Sequence, residues 1–111
     1  MKLDFAVPAL PVRSVPAAQA FYVEKMGFTA NWHHDEGRIG AVSHGRCALF
    51  LREVDGPFTP GVVWIFAEDI DATHAEIAAA DPSALQTMPY GLRQFTVTDP
   101  DGNQLHFHHD L

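Results

Sequence analysis

The chain is poor in the residues on which several protein classes depend. Cys47 is the only cysteine, so an intrachain disulfide is excluded and no oxidising compartment is required. Seven Lys and Arg stand against fourteen Asp and Glu, a balance that disfavours nucleic-acid backbones and favours cationic partners. The apolar run near the N-terminus is short and is interrupted by Pro8 and Pro11. It does not resemble a signal or membrane segment, so we expect no membrane partner and a cytoplasmic location.

Familiar nucleophile arrangements are missing as well. No serine stands within a Gly-x-Ser-x-Gly elbow, and Cys47 lies in an apolar segment with Arg46 as its only nearby charge. We therefore expect the protein to be a binding protein and not an enzyme.

The apolar residues that are present follow a repeated order. The 111 residues, 47% of them hydrophobic, suffice for a single domain spanning residues 1–111. A strand, a helix and further strands are predicted between about residues 3 and 54, and again between about residues 62 and 109. The Gly- and Pro-rich loop at residues 55–61 separates these two modules.

In the first module the helix has the clearest signals. Ser14-Val15-Pro16 favours a helix start, residues 17–26 form the helix, and Gly27 suits the position just past its end. A mostly apolar stripe on this helix is predicted at Ala17, Ala20, Phe21 and Glu24. Strands are predicted at residues 5–12, 29–34, 39–44 and 47–54.

The second module repeats these elements. Residues 62–67 form its first strand, and an Ala-rich helix follows at residues 70–80, with Asp69 or Asp71 near its N-terminal end. Pro82 ends this helix, and a short edge segment is predicted at residues 85–88.

The C-terminal segment predicts a hairpin. Residues 90–98 and 104–107 alternate in polarity on either side of Asp99-Pro100-Asp101-Gly102-Asn103, in which Pro presets φ and Gly and Asn tolerate positive φ. Together with residues 20–28, Ala-Phe-Tyr-Val-Glu-Lys-Met-Gly-Phe, this hairpin resembles the vicinal oxygen chelate superfamily of glyoxalases, extradiol dioxygenases and bleomycin-resistance proteins. The resemblance implies an α+β fold in which two βαβββ modules form a curved mixed sheet.

The same resemblance indicates where a metal would bind. Metal-binding members carry a His or Gln on the first strand of each module and a Glu on the last. The aligned positions here are Val7, Val62, residues 49–51 and His106, of which only His106 could be a ligand. We therefore expect no metal and no cofactor.

The other histidines do not supply the missing ligands. His106 and His108 share a strand face and could hold a metal together only with a third ligand, whereas His33 and His34 face opposite sides. The remaining three are expected at solvated or frayed positions: His44, His74 and His109.

Within the superfamily the chain looks most like the bleomycin-resistance proteins, small acidic dimers that sequester glycopeptide antibiotics. The similarity includes residues 6–10, Trp32, residues 63–66, the segment Tyr90-Gly91-Leu92-Arg93-Gln94-Phe95 and the final hairpin. Tyr90 and Gln94 stand where those relatives commonly have Trp and Glu. The resemblance implies a homodimer with ligand grooves between subunits, domain-swapped through an N-terminal arm at Pro8.

Bleomycins carry a flat bithiazole and a cationic tail, so their binding requires aromatic faces and carboxylates. We expect ligand-binding residues at Asn31, Trp32, Ile39, Phe58, Trp64, Tyr90, Gly91 and His106. Acidic side chains that could attract the tail are Asp35, Glu36, Glu53 and Asp55. Trp32 lies in a polar strand, which favours exposure to a groove, whereas Trp64 lies in an apolar run where core packing and ligand contact are equally compatible with the sequence.

Two other functions stay open. One is binding of a different aromatic or cationic metabolite, which the differences at Tyr90 and Gln94 favour. The other is a metal-dependent glyoxalase-like lyase or fosfomycin-type thiol transferase, which the missing ligands disfavour.

Overall fold

The computed structural model describes residues 1–111 and contains two sets of elements in the same order. The first set is β1 (Ala9–Val12), α1 (Val15–Met26), β2 (Thr29–His34), β3 (Ile39–His44) and β4 (Cys47–Glu53). The second set is β5 (Val62–Phe66), α2 (Ile70–Glu76), a 3-10 turn (Ala78–Ala80), β6 (Gln86–Thr87), β7 (Leu92–Thr98) and β8 (Gln104–Asp110).

Each set forms one four-stranded mixed sheet. The strand orders are β1-β4-β3-β2 and β5-β8-β7-β6. In both sheets the strand before the helix pairs in parallel with the last strand, and the other neighbours are antiparallel. The predicted α+β fold of two βαβββ modules is confirmed.

The core lies on one face of each sheet. Leu49 and Leu51 of β4 and Phe95 and Val97 of β7 belong to a single cluster of 18 buried residues that both modules share. α1 packs on β2, β3 and β4, α2 packs on β7 and β8, and α1 also contacts the 3-10 turn. The face of each sheet opposite its helix is therefore open. No helix is long and apolar enough to cross a membrane.

α1 begins two residues earlier than the sequence predicted. Ser14 caps it, its Oγ accepting from the Ala17 backbone N–H at 3.2 Å, and Gly27 ends it in the left-handed conformation. The predicted apolar stripe is wrong, because the buried positions are Val15, Ala18, Tyr22 and Met26. Because the helix begins at Val15, the buried stripe starts there and not at Ala17. This stripe includes Tyr22, whose hydroxyl has a buried hydrogen-bond partner.

The second helix is shorter than predicted. Asp69 caps α2 by accepting from the Ala72 N–H at 3.0 Å. The α-helix ends at Glu76, and the chain tightens into the 3-10 turn before Asp81 adopts a left-handed conformation with φ of 55°. Ala-rich composition alone therefore did not extend the helix to residue 80, since the tighter turn buries Ile77 and Ala80 in the shared core.

The two chain ends also differ from expectation. β1 begins at Ala9 and not at residue 5, and the arm of residues 1–8 leaves Leu3 and Phe5 84% and 65% exposed. β8 continues to Asp110, and His109 Nδ1 lies 2.9 Å from the Ala67 carbonyl oxygen. The prediction of a frayed end at His109 is therefore wrong. His74 is half-buried against Phe95, with ring centroids 4.8 Å apart, so its predicted solvation is wrong as well.

The turn at residues 99–103 is a buried polar junction between the modules. The Asp99 carboxylate accepts from Tyr22 Oη at 2.8 Å, from Asn103 Nδ2 at 2.9 Å, and from two backbone N–H groups of the turn. Asn103 Nδ2 also donates to the Pro11 carbonyl at 2.8 Å, and its Oδ1 accepts from the Gly61 N–H at 2.7 Å. The junction thereby joins β1, α1, the segment before β5 and the final hairpin.

Candidate ligand-binding site

The open face of the first sheet carries an aromatic pair. Trp32 of β2 is 45% exposed and lies with its ring centroid 5.6 Å from that of Phe50. In register, Trp32 pairs with Ala41 and Ala41 pairs with Phe50, so the two rings lie on either side of a small residue. The predicted exposure of Trp32 is confirmed, and Ile39 belongs to the adjacent row, opposite Arg52.

A β-bulge decides which way Trp32 points. Ala30 pairs with Val42, whose side chain is fully buried, and strict alternation would direct Trp32 to that same buried face. The register shift between Ala30 and Trp32 makes Asn31 an extra residue and turns Trp32 to the open face. Asn31 therefore has a structural role in orienting its neighbour, in addition to its predicted place beside the ligand.

The open face of the second sheet is richer in rings. Trp64 is 50% exposed, and its indole lies 4.5 Å from the His106 imidazole between centroids, tilted by 33°. Phe66 lies one row further along and contacts His108 at 5.8 Å. Ligand contact is thus the interpretation of Trp64 that its exposure favours over core packing.

Hydrogen bonds hold the two histidines of this face in place. His106 Nδ1 lies 2.6 Å from Thr96 Oγ1, and His108 Nδ1 lies 3.0 Å from Asp110 Oδ1. Burial lowers the pKa of His106 below its ordinary value, which favours a neutral imidazole next to Trp64. A neutral ring can stack on the indole without the cost of desolvating a charge.

The predicted site residues fall into four places, one of which is the loop that carries Phe58. Trp32 and Ile39 lie on the first open face, and Trp64 and His106 on the second. Tyr90 lies in the turn before β7, where its Oη donates to Gln94 Oε1 at 2.7 Å, and Gln94 pairs with His108. Gly91 adopts φ of 88° at the same turn. The side chains of Tyr90 and Gln94, the two positions expected to differ from the bleomycin-resistance pattern, therefore bond to each other.

Phe58 is placed apart from the other rings. It lies in the loop between the modules, and the Arg13 guanidinium carbon is 4.4 Å from its ring centroid. Arg13 in turn donates to the backbone carbonyls of Val54 and Gly56. One face of the Phe58 ring is therefore already occupied by a cation from the same chain.

Pro8 borders a groove of about 290 Å³ that Trp64 and Phe66 also line. The Pro8 carbonyl accepts from the Phe50 N–H at 2.9 Å, which is the last backbone bond of the arm to β4. The arm thus leaves the first sheet beside the free edge of β5.

Two of the four carboxylates considered for ligand attraction are already paired. Arg38 Nη2 lies 2.6 Å from Asp55 Oδ1 and 3.1 Å from Glu53 Oε2. The Val15 N–H and then Arg38 hold the pKa of Glu53 below its usual value, and Arg38 does the same for Asp55. Asp35 and Glu36 remain exposed in the β2–β3 turn. Sequence separation hid the Arg38 pairing, since the partners meet only when β3 and β4 align.

The positions aligned with superfamily metal ligands do not converge on a donor set. Val62 lies on the second open face near His106, while Leu49 and Leu51 face the core and Phe50 faces outward. No group of three or more His, Cys, Asp or Glu side chains lies close enough together to hold a metal. Sequence reasoning missed Phe50 and Phe66 as ring neighbours, because the continuous apolar runs at residues 47–51 of β4 and 62–66 of β5 conceal which side is open.

Two βαβββ modules with open sheet faces define the class of domain to which this chain belongs structurally. The sequence profile of the Glyoxalase/Bleomycin resistance protein/Dioxygenase superfamily matches residues 3–107. The chain is a member of that superfamily. A search of curated protein sequences finds no significant match.

Solved structures with this fold include binding proteins and enzymes. The bleomycin-binding protein from bleomycin-producing Streptomyces verticillus, complexed with copper(II)-bleomycin, is 28% identical, with a TM-score of 0.82 and 96% of each chain covered. The bleomycin resistance determinant encoded on the transposon Tn5 is 19% identical, with a TM-score of 0.85, covering 97% of this chain and 98% of its own. Lactoylglutathione lyase from Agrobacterium tumefaciens is 20% identical, with a TM-score of 0.76, covering 98% and 96%. The last two likenesses concern the fold alone.

Proposed function

We propose that this protein binds and sequesters bleomycin-type cationic glycopeptide antibiotics, without altering them, in a groove between two subunits. The observation that carries the proposal is the exposure of both tryptophans on open sheet faces, each beside a second ring. Such surfaces suit a flat bithiazole, since each offset ring pair contributes roughly 0.5–1.5 kcal/mol beyond simple burial. The 28% identity to a bleomycin-binding protein over nearly the whole chain supports the choice of ligand class.

The surface charge fits a cationic ligand. The formal net charge is −7, and Asp35 and Glu36 are exposed at the turn that follows Trp32 and the end of β2. Exposed carboxylates at this position would raise the association rate of a cationic tail more than its residence time.

The side chains at the superfamily's ligand positions support binding without chemistry. Valines at two of these positions and apolar residues at the third have no atom that can coordinate a metal, which leaves His106 alone. The open faces carry mainly rings and neutral hydroxyl and amide groups around the two tryptophans, with Arg52 opposite Ile39 on the first sheet.

A homodimer would complete the site. β5 has a free edge made of five apolar residues, and Val62, Trp64 and Phe66 are exposed on one side of it. Free apolar edges are normally covered. The arm carries apolar residues at alternate positions, 1, 3, 5 and 7, the pattern of a strand, and has no strand partner in its own chain. We propose that a second copy covers the β5 edge, with arms exchanged beyond Pro8, so that Trp64 lines the groove between the two subunits.

Calorimetric titration of chelator-treated protein with metal-free and copper-loaded bleomycin tests the ligand. We expect submicromolar binding near one drug per subunit, and a loss of about tenfold or more for Trp32→Ala and for Trp64→Ala. Val23→Ala, which shortens an exposed apolar side chain on α1, serves as the matched control and should bind as the parent does. Absence of heat with either drug form would overturn the proposal.

Sedimentation tests the assembly separately. A dimer at micromolar concentration is expected, and truncation of residues 1–7 should weaken it. A monomer at that concentration would exclude a groove between subunits.

One observation favours a different aromatic or cationic metabolite as the second candidate ligand. Tyr90 and Gln94, which are hydrogen-bonded to each other, stand where the bleomycin-resistance proteins are expected to have Trp and Glu. This chain therefore has a smaller ring and a neutral amide at these two positions. This change reduces both the stacking area and the local negative charge. Quenching of Trp64 fluorescence by a planar cation that is not a glycopeptide, together with no change on addition of bleomycin, would support this candidate.

A further inference from the structure

A polar cleft of about 550 Å³ adjoins the ring-bearing part of the second open face. Its floor consists of two cross-strand rows of β7 and β8, Thr96 opposite His106 and Thr98 opposite Gln104. Its wall is the segment of residues 80–83, which leaves the 3-10 turn. Because β6 covers only the first part of β7, this segment occupies the edge that β6 leaves free.

Two hydrogen bonds fix the wall to the floor. The Ser83 N–H donates to the Thr96 carbonyl at 2.8 Å, and Ser83 Oγ accepts from the Thr96 N–H at 2.8 Å. The hydroxyl hydrogen of Ser83 is not used by either bond and can be donated to a ligand. Asp81, exposed and in the left-handed conformation, forms the rim.

The groups that line the cleft favour one kind of ligand chemistry. Ala80 is the only hydrophobic residue of the cleft. The other lining residues present hydroxyls, an amide, an imidazole and a single carboxylate. An apolar group would gain little there, and an anion would meet Asp81 in a protein of charge −7. Hydroxyl groups that both donate and accept can use every one of these side chains. A saccharide has this chemistry.

His106 connects the cleft to the aromatic surface. Its ring lies against Trp64 at 4.5 Å, and the same residue lines the cleft. Its Nδ1 is engaged by Thr96 Oγ1, which leaves Nε2 for a ligand. A single ligand could therefore place a flat part on Trp64 and a polar part in the cleft without leaving the second sheet.

We infer that the cleft formed by Asp81, Ser83, Thr96, Thr98, Gln104 and His106 binds the saccharide portion of a glycosylated aromatic ligand whose planar portion lies on Trp64. The inference rests on the proposed function and assigns the two parts of the ligand to adjacent regions of one sheet. Thr98 and Gln104 are the best residues with which to test it, since both are exposed and neither side chain has a partner in the chain.

The experiment compares metal-free bleomycin with the same drug after removal of its sugars. The parent protein should bind the intact drug at least about tenfold more tightly than the sugar-free drug, the effect of a few net hydrogen bonds. The double variant Thr98→Ala with Gln104→Ala should lose this preference while its affinity for the sugar-free drug is unchanged. Trp64→Ala should weaken the binding of both forms of the drug by the same factor. Thr29→Ala, an exposed threonine on the first sheet, is the matched control.

The outcomes separate the two proposals. Equal affinity for both drugs, with tight binding retained, overturns the saccharide assignment and leaves sequestration standing. A preference for the intact drug that survives in the double variant also overturns it, because the sugar would then bind elsewhere. No binding of either drug refutes the proposed function and the inference that rests on it.

Discussion

Replacement of Tyr22 by phenylalanine should destabilise the protein far more than the same replacement at Tyr90. The Tyr22 hydroxyl is buried and donates to the Asp99 carboxylate at 2.8 Å. Burial first, and then the charge of Asp99, raises the pKa of the Tyr22 phenol above its ordinary value, so it stays protonated as a donor over the working pH range. The ring itself is retained in Tyr22→Phe, which leaves core packing unchanged.

The magnitude follows from what the carboxylate loses. Hydrogen bonds to charged groups contribute about 1.5–3 kcal/mol to the free energy of unfolding. The three remaining donors, two backbone N–H groups and Asn103 Nδ2, limit the loss to that range. Tyr90→Phe removes an exposed hydrogen bond to Gln94 and should cost less than about 0.5 kcal/mol.

Asn103→Ala extends the same reasoning. It leaves the Gly61 N–H and the Pro11 carbonyl without their side-chain partners and removes one donor from Asp99. Two half-buried backbone groups without partners, at about 1–3 kcal/mol each, predict a total loss of about 2–5 kcal/mol.

Urea unfolding followed by circular dichroism measures all three variants, and thermal midpoints should fall by roughly 4 °C per kcal/mol. Equal stability of Tyr22→Phe and Tyr90→Phe would refute the view that the turn at residues 99–103 is a module junction. So would an Asn103→Ala variant within about 1 kcal/mol of the parent.

Three further predictions follow from single contacts. Because burial lowers the pKa of His106, the unfolded state binds the proton first as pH falls below the ordinary histidine pKa of 6.5, so the free energy of unfolding should decline there. His106→Gln should flatten that part of a curve of urea midpoint against pH. Arg38→Ala should raise the pKa of Asp55 toward the ordinary aspartate value of 3.8 in an NMR titration, and an unchanged pKa would show that the ion pair is absent in solution. Gly40→Ala should cost about 1–3 kcal/mol by urea unfolding, because its new Cβ would lie 2.5 Å from Val15 Cγ1; a neutral result would contradict the close approach of α1 to β3.

Most element boundaries could be predicted because they are set by local chemistry. β2 and β3 coincide with their predicted ranges, and β4 ends one residue early. Gly45-Arg46 and the Asp99–Asn103 segment separate alternating segments and contain the Gly, Pro, Asn and Asp residues that favour turns. The helix bounds were less accurate, since the buried stripe of α1 depends on Val15 and Tyr22, whose partners lie in the other elements.

The turn at residues 99–103 illustrates a different limit. Its residue types predicted the reversal of the chain, yet they did not show that Asp99 and Asn103 are nearly completely buried. Their partners Tyr22 and Pro11 lie far away in the sequence, at separations of 77 and 92 residues. No local pattern reports a contact of that range.

By itself, the sequence determined the two βαβββ modules, the acidic surface and the likeness to a superfamily, because periodicity, turn residues and composition are local properties of the chain. Only the tertiary structure decided which aromatic residues face outward. A one-residue bulge at Asn31 turns Trp32 away from the core, and the pairing of β5 with β8 places Trp64 against His106. It also decided that Arg38 forms ion pairs with both Glu53 and Asp55. The physical reason is that strand register assigns side chains to faces, and register is set by partners far along the chain.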